Sequence, residues 1–412
     1  MTDTLAIDFG TSNSACAILE NGAVRRIAIE TDGETLPTAV FFPATRGDMR
    51  IGSAAGAALI GGEEGRYMRA LKSVLGTQLL HEPRLIGGKR RTISEIITAF
   101  LETVKARAEA ATGTPLRKAL SGRPVRFHSK DDARDTQAEA DLRACYLAAG
   151  FEDVAFMYEP EAAALASYGA AVSGEIGLIV DIGGGTSDFS VFRMDGARVE
   201  ILASHGIRLG GTNFDHAVSM SHVMQHLGYG GVLRREMGEG LLPIPNGVYV
   251  DLATWEKIPF LYAPETRRMV AQMLPLAVEP QGLSRLGSVL EDELGHELAF
   301  AVERGKIAAN AAGARAQIDM GVIERGLAAQ ITEGSLNAAL AAYSAQIRET
   351  AMETLVRAQI APWLVQSVVF VGGSSLMGMV AREMADLCPQ ARQDYGEAFT
   401  AVVDGLALAT QA

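Results

Sequence analysis

Two short turns carry the residues best suited to chemistry. Asp8-Phe9-Gly10-Thr11-Ser12-Asn13 and Asp181-Ile182-Gly183-Gly184-Gly185-Thr186-Ser187-Asp188 each set an aspartate just ahead of a run of small residues. Consecutive Gly, Thr and Ser leave backbone N–H groups free to converge on an anion. Gly10, Thr11, Ser12 and Asn13 in the first turn, and Gly183, Gly184, Gly185 and Thr186 in the second, are therefore candidates for holding phosphate oxygens. Asp8 and Asp181 stand where a strand ends, and a carboxylate there can order the waters of a magnesium ion lying between protein and phosphates. A single copy of such a turn is accounted for by an ordinary tight β-turn. Two matching copies favour the phosphate reading.

The residues around each turn predict what positions it. Apolar runs flank both, and each copy closes with a second reversal, Asn21-Gly22 in one and Asp195-Gly196 in the other, followed by another apolar-alternating segment. The pattern is strand, Asp-x-Gly turn, strand, Gly turn, strand, twice over, which is the signature of successive hairpins. At 412 residues the chain has length for two lobes, each headed by one copy.

Composition narrows the partners. Hydrophobic residues make up 48 % and no low-complexity run interrupts them, so the chain is expected to fold throughout. A net charge of −12 without a Lys/Arg cluster argues against nucleic acid as a partner. Met1-Thr2-Asp3-Thr4 runs straight into a strand with no basic leader, and no apolar stretch has the length of a membrane span, so no membrane partner and a cytoplasmic location are expected. Cys16, Cys145 and Cys388 fit reduced core thiols. His222 and His226 have the spacing of a helical metal pair, but no acidic ligand completes the pattern, so a packing or surface role is expected.

The paired turns resemble the phosphate motifs of the actin, sugar-kinase and heat-shock superfamily, whose α/β fold clamps a nucleotide between two duplicated lobes. Further motifs resemble the DnaK-type chaperones within it. Tyr158-Glu159-Pro160-Glu161-Ala162-Ala163-Ala164-Leu165 is similar to the family's lobe-connecting segment, His205 to Asp215 with Gly210 and Gly211 to its adenosine-side loop, and Gly372-Gly373-Ser374 to its late adenosine motif. The Gly-Gly-Ser turn leads into a helix N-terminus, a close-approach geometry. The resemblance implies an actin-like ATPase fold with ATP or ADP and magnesium as cofactors, and makes hydrolysis of ATP to ADP and phosphate the expected activity.

It also implies roles. Lys72 matches the family's catalytic lysine and would offset charge on the γ-phosphoryl group, although its segment also reads as a basic surface helix. Glu159 and Asp188 would position the attacking water, with Asp181 beside them. Glu303, Lys306 and Asn310, on one face of a helix, would meet the ribose and adenine, with Asp215 on the neighbouring loop. Two departures bear on the base: Ile307 and Leu376 stand where the family places arginines, while Phe399 stands near the place of a family aspartate by the final helix. Without those guanidinium planes, cation–π stacking on the base is lost.

Motif order predicts lobe I over 1–170 with an outer subdomain about 38–98, lobe II over 171–395 with an outer subdomain about 212–341, and a C-terminal helix over 396–412 returning to lobe I. Alanine-rich helices are expected over 297–312 and 336–358. The stretch 216–302 is an insertion relative to the chaperones, and its Trp255 reads as packing. The chain's end at 412 gives the short, YegD-like heat-shock relatives as the best fit, a nucleotide-binding domain without room for a peptide-binding domain.

Four functions compete. The favoured one is a slow, chaperone-like ATPase, a monomer or small oligomer working by nucleotide-dependent lobe closure on an unknown protein partner or client. An actin-like, MreB-type filament shares the phosphate turns, but Lys72 and the insertion argue against it. A small-molecule kinase would need a sugar-site pattern that is absent. A scaffold gated by nucleotide without turnover is the fourth.

Overall fold

The computed structural model describes residues 3–30, 33–44, 47–128, 131–168, 174–196, 198–311, 313–396 and 398–411. The chain divides into two compact units, residues 1–208, 348–376 and 383–412 in the first, and 209–347 with 377–382 in the second.

Two sheets of the same topology build the first unit. One runs in the order Asp153–Tyr158, Lys118–Arg123, Thr4–Phe9, Asn13–Glu20, Ala23–Ile27, with the short strand Thr35–Pro37 beside Asn13–Glu20. The other runs Arg392–Asp394, Ser367–Val371, Ile176–Ile182, Ser187–Asp195, Arg198–Ile207. In each, a three-stranded antiparallel meander is extended at its first strand by two parallel strands. The duplication seen in the two turns therefore reaches across whole sheets. Parallel strands covered on both faces read as continuous apolar runs, and Ser367–Val371 is buried at every position. Asn21 (φ 53°) and Gly22 (φ 79°) supply the two left-handed residues that a two-residue hairpin loop requires.

Two helices, Glu159–Tyr168 and Ala401–Ala409, pack against each other and against both sheets. Their closest contact is made by small residues. Ala162, Ala163 and Ala164 join Ala6, Ala15 and Ala17 of the first sheet and Ile179, Phe192 and Val369 of the second in one core cluster. This shared core makes one unit of two sheets, whereas the expected lobe boundary at 170/171 lies outside the described residues. At Gly405 the approach is closest: a Cβ there would lie 1.7 Å from the Ala162 carbonyl oxygen. Gly405→Val is expected to force the helices apart and destabilise by about 3 kcal/mol or more, lowering the calorimetric melting temperature by roughly 5 °C or more. An unchanged melting temperature would disprove that packing.

Around the first sheet, Ala39–Pro43 pairs with Arg50–Ile51 and Gly65–Arg69. The long helix Ile93–Thr112 opens with a reciprocal capping box between Thr92 and Glu95 and ends at Gly113 in the left-handed conformation. In the second unit, helices Gly247–Leu252, Pro264–Met273 and Pro280–Glu291 lie within the stretch 216–302. Trp255 packs edge-on against His296 and Phe300, at 4.8 and 5.0 Å between ring centroids.

Several boundaries differ from those expected. The helix anticipated over 297–312 runs Gly295–Ala309, and residue 312 lies outside the described residues. The one over 336–358 runs Glu333–Arg357, and the C-terminal helix is confined to Ala401–Ala409. His222 and His226 do not share an α-helical face, because the chain passes through a π-helical turn, Ser219–Val223, into a 3₁₀ turn, Met224–Leu227. The buried His222 ring bridges Ser221 Oγ (2.8 Å) and Ser335 Oγ (2.9 Å), a packing role. All three cysteines are free and buried. Among the described residues no helix is long and apolar enough to cross a membrane.

Candidate functional site

The two Asp-bearing hairpins meet at their turns. Ser12 of the first faces Gly184 of the second so closely that a Cβ on Gly184 would lie 2.5 Å from Ser12 Oγ. Within the first turn a Cβ at Gly10 would strike the Asn13 carbonyl oxygen at 2.2 Å, so only glycine fits. The second turn is closed by the Gly183 N–H donating to the Thr186 carbonyl at 3.0 Å. Register separates the copies: Asp8 lies across from Ala15, whereas Asp181 lies across from Asp188, so of the two hairpins the second sets two acids face to face.

Glu159 joins them from the first position of its helix, directly after the strand Asp153–Tyr158. Lys72 arrives from the other side. It sits in a one-turn 3₁₀ helix, Leu71–Val74, entered through left-handed Ala70, and only 8 % of it is exposed. The alternative of a basic surface helix is thereby corrected: burial of Leu71 and Leu75 draws the segment into the core. Lys72 Nζ contacts Glu159 Oε1 at 2.5 Å.

Four carboxylates and one ammonium in a desolvated space leave an excess of negative charge, and the protonation equilibria report it. Burial pushes Asp8 up to about 7, with Glu159 adding to the rise and Lys72 opposing it. Burial and Glu159 push Asp188 up to about 6, against a hydrogen bond from Thr186. Asp181 is driven well above the carboxylate range by burial, then by Glu159, Asp188 and Asp8. Burial alone would lower Lys72, but Glu159, Asp8 and Asp181 together raise it, so it stays charged. Such a site favours a cation, and Asp8 and Asp188 titrate where a general base is most effective.

A stability effect follows. Between about pH 4 and 7 the folded chain holds protons on Asp8 and Asp188 that the unfolded chain has released, so stability falls as pH rises through that window. The metal-free protein is expected to melt several degrees higher at pH 5.5 than at pH 8, from a gain of at most a few kcal/mol. Melting temperatures that fall on acidification over that range would contradict it.

Glycines close the site. Gly372 (φ 78°) lies against the second hairpin: a Cβ there would be 2.5 Å from the Ile182 carbonyl oxygen and 3.0 Å from Asp181 Oδ1. Ser374 stands two residues on, in the 3₁₀ turn Gly373–Leu376, while the Ser375 hydroxyl donates to the Gly372 carbonyl at 2.7 Å. A Cβ on Gly206 would fall 2.1 Å from Asp188 Oδ1.

The second unit brings a different subset together. Lys306 is buried and pairs with Asp215 at 2.8 Å, and the Asn310 side-chain oxygen accepts from the Gly378 N–H at 2.8 Å. Gly210 caps the helix Gly211–Val218, its N–H donating to Asn213 Oδ1. Glu303 and Ile307 are exposed on the same helix that buries Lys306, so these residues do not share one solvated face.

Sequence reasoning passed over the residues that hold these groups. The Gly76 N–H donates to buried Asp141 (2.9 Å), and His128 Nε2 meets the Leu75 carbonyl (2.7 Å), which fixes the loop carrying Lys72. Thr38 anchors the first turn, its N–H donating to the Ser12 carbonyl and its hydroxyl bonding Ser14. No motif marks Asp141 or His128; the left-handed Gly76 was the one local clue.

A family model described as "Hsp70 protein" matches residues 4–230, the span that contains Asp8, Lys72, Glu159, Asp181 and Asp188. The chain belongs to the Hsp70 family. Its two sheets of repeated topology, with the paired turns at their heads, make its fold the actin-like ATPase fold. Among curated Hsp70-type relatives, the chain is similar to the "Chaperone protein DnaK" of Endomicrobium trichonymphae, 33 % identical over 226 residues, 53 % of this chain and 34 % of that protein. The "Chaperone protein DnaK" of Thermoplasma acidophilum is 33 % identical over 225 residues, 53 % of this chain and 35 % of that protein. The matched region thus spans about a third of the length of these relatives.

Proposed function

We propose that this chain binds ATP with magnesium at the paired hairpins and hydrolyses it slowly, as a chaperone-like member of the DnaK type. The observation that carries the reading is the convergence of Asp8, Asp181, Asp188 and Glu159 on buried Lys72 beside two turns able to hold phosphates. Gly10 to Asn13 and Gly184 to Thr186 grip the phosphate chain with backbone N–H groups and hydroxyls, while Gly183 closes the second turn through its own N–H. Magnesium fits the donor set as a hydrated ion: the acids supply charge, and among the described residues no three His, Cys, Asp or Glu side chains stand together as direct ligands. Bound there, it would supply charge compensation between the phosphates. Asp8 and Asp181 would order its waters, while Glu159 and Asp188 align and deprotonate the attacking water and Lys72 stabilises charge on the transferred group.

The same reading assigns the finer points. The Gly372–Gly373–Ser374 turn serves the nucleoside end. The lobes run 1–170 and 171–395, with 396–412 returning to the first, and their closure on nucleotide is the output to a protein client. Calorimetric titration with ATP in the presence and absence of magnesium, together with phosphate release, tests this: no binding would end the reading.

One observation favours a second reading. Lys72 and Glu159, the two groups needed for charge stabilisation and water alignment, are engaged with each other at 2.5 Å. A chain that keeps them paired binds nucleotide as a gated scaffold without turnover, and tight binding with no phosphate release would select it.

A further inference from the structure

Phe399 stands apart from the chemistry described so far. It is 53 % exposed although one edge of its ring is covered. One edge of the ring fits against Gly373 so closely that a Cβ on Gly373 would lie 2.6 and 2.9 Å from two of its carbons. The backbone is tied at the same place, the Gly372 N–H donating to the Ala398 carbonyl at 2.8 Å. The glycine that seats Phe399 thus adjoins the glycine that abuts Asp181, and a line of direct contacts runs from the carboxylate cluster through Gly372 and Gly373 to an exposed aromatic ring.

The geometry points to Phe399 as the platform on which the base of a bound nucleotide stacks, so that this chain takes nucleoside triphosphates with little discrimination between bases. The inference rests on the proposed nucleotide site and specifies its far end. A nucleotide gripped by its phosphates at the hairpins must extend its base away from the carboxylates, and the glycine turn leads to a π-surface. A phenyl ring stacks on any base and has neither donor nor acceptor with which to read an edge. In the same turn the Ser375 hydroxyl is spent on the Gly372 carbonyl. Leu376 adds only apolar surface.

The test is competition calorimetry of the full chain with magnesium and ATP, GTP or ribose triphosphate, which carries no base, using wild type, Phe399→Ala and Phe399→Leu. The expected result is ATP and GTP affinities within about threefold of each other, both falling roughly tenfold in Phe399→Ala. Ribose triphosphate should bind all three proteins alike. The leucine variant keeps bulk on Gly373 without a π-face and should lose affinity for both nucleotides while its melting temperature stays near wild type. Unchanged nucleotide affinity in both variants, equal loss for ribose triphosphate, or a strong preference for one base would overturn the inference while leaving the nucleotide site standing. Wild type that binds none of the three would remove the site itself.

Discussion

Lys72→Ala is expected to lower the rate of phosphate release from ATP by about 10²–10³-fold while nucleotide binding persists. The size follows from removing a single preorganised charge aimed at the reacting group in a desolvated site. Persistence of binding follows from the phosphates being held by the two turns, which do not depend on the lysine. The substitution also removes the charge that opposes the rise of Asp8, Asp181 and Asp188, so all three acids should protonate at higher pH than in wild type. Single-turnover phosphate release across pH 6 to 9 reads both effects. A variant that turns over at the wild-type rate would show that Lys72 is only a structural partner of Glu159.

Asp181→Asn should separate the metal from the phosphates. The amide keeps the size of the side chain but not its charge, so the magnesium-dependent part of ATP affinity is expected to drop by about 10–100-fold, leaving binding close to that seen in chelator. The metal-free variant should also melt higher than wild type. Asp181 is buried beside Glu159, Asp188 and Asp8, and neutralising it relieves both desolvation and like-charge repulsion. A gain of stability paired with a loss of metal-dependent binding is the mark of a strained functional site. Loss of both stability and binding would instead make Asp181 a structural residue.

The parts of this site that were legible in the sequence are those set by local backbone demands. The Asp-x-Gly turns, the Asn21-Gly22 reversal and the Glu-Pro segment are short-range patterns, and the structure brings Asp8, Asp181, Asp188, Glu159 and Lys72 into one cluster. Where long-range packing decides, the sequence said less. The three-residue spacing of Glu303 and Lys306 suggested a common face, yet Asp215, distant in sequence, draws Lys306 into a buried pair and leaves Glu303 outside. The four-residue spacing of His222 and His226 suggested one helix, and a π turn broke it. Asp141 and His128 hold the Lys72 loop through its backbone, an interaction that places no demand on the identity of the residues being held.

The alanine and glycine contact between the helices Glu159–Tyr168 and Ala401–Ala409 bears on how this site can change. Side chains that interdigitate lock two helices in register, as teeth do. Ala162 against Gly405 presents almost no teeth, only backbone on backbone. Such an interface resists separation but gives little friction to translation along its length, the condition for shear. Glu159 is the leading residue of one of these helices, while Lys72 belongs to a loop clamped elsewhere. Any slide of that helix would alter the gap between that carboxylate and that ammonium, making the pair a gauge of the helix's position.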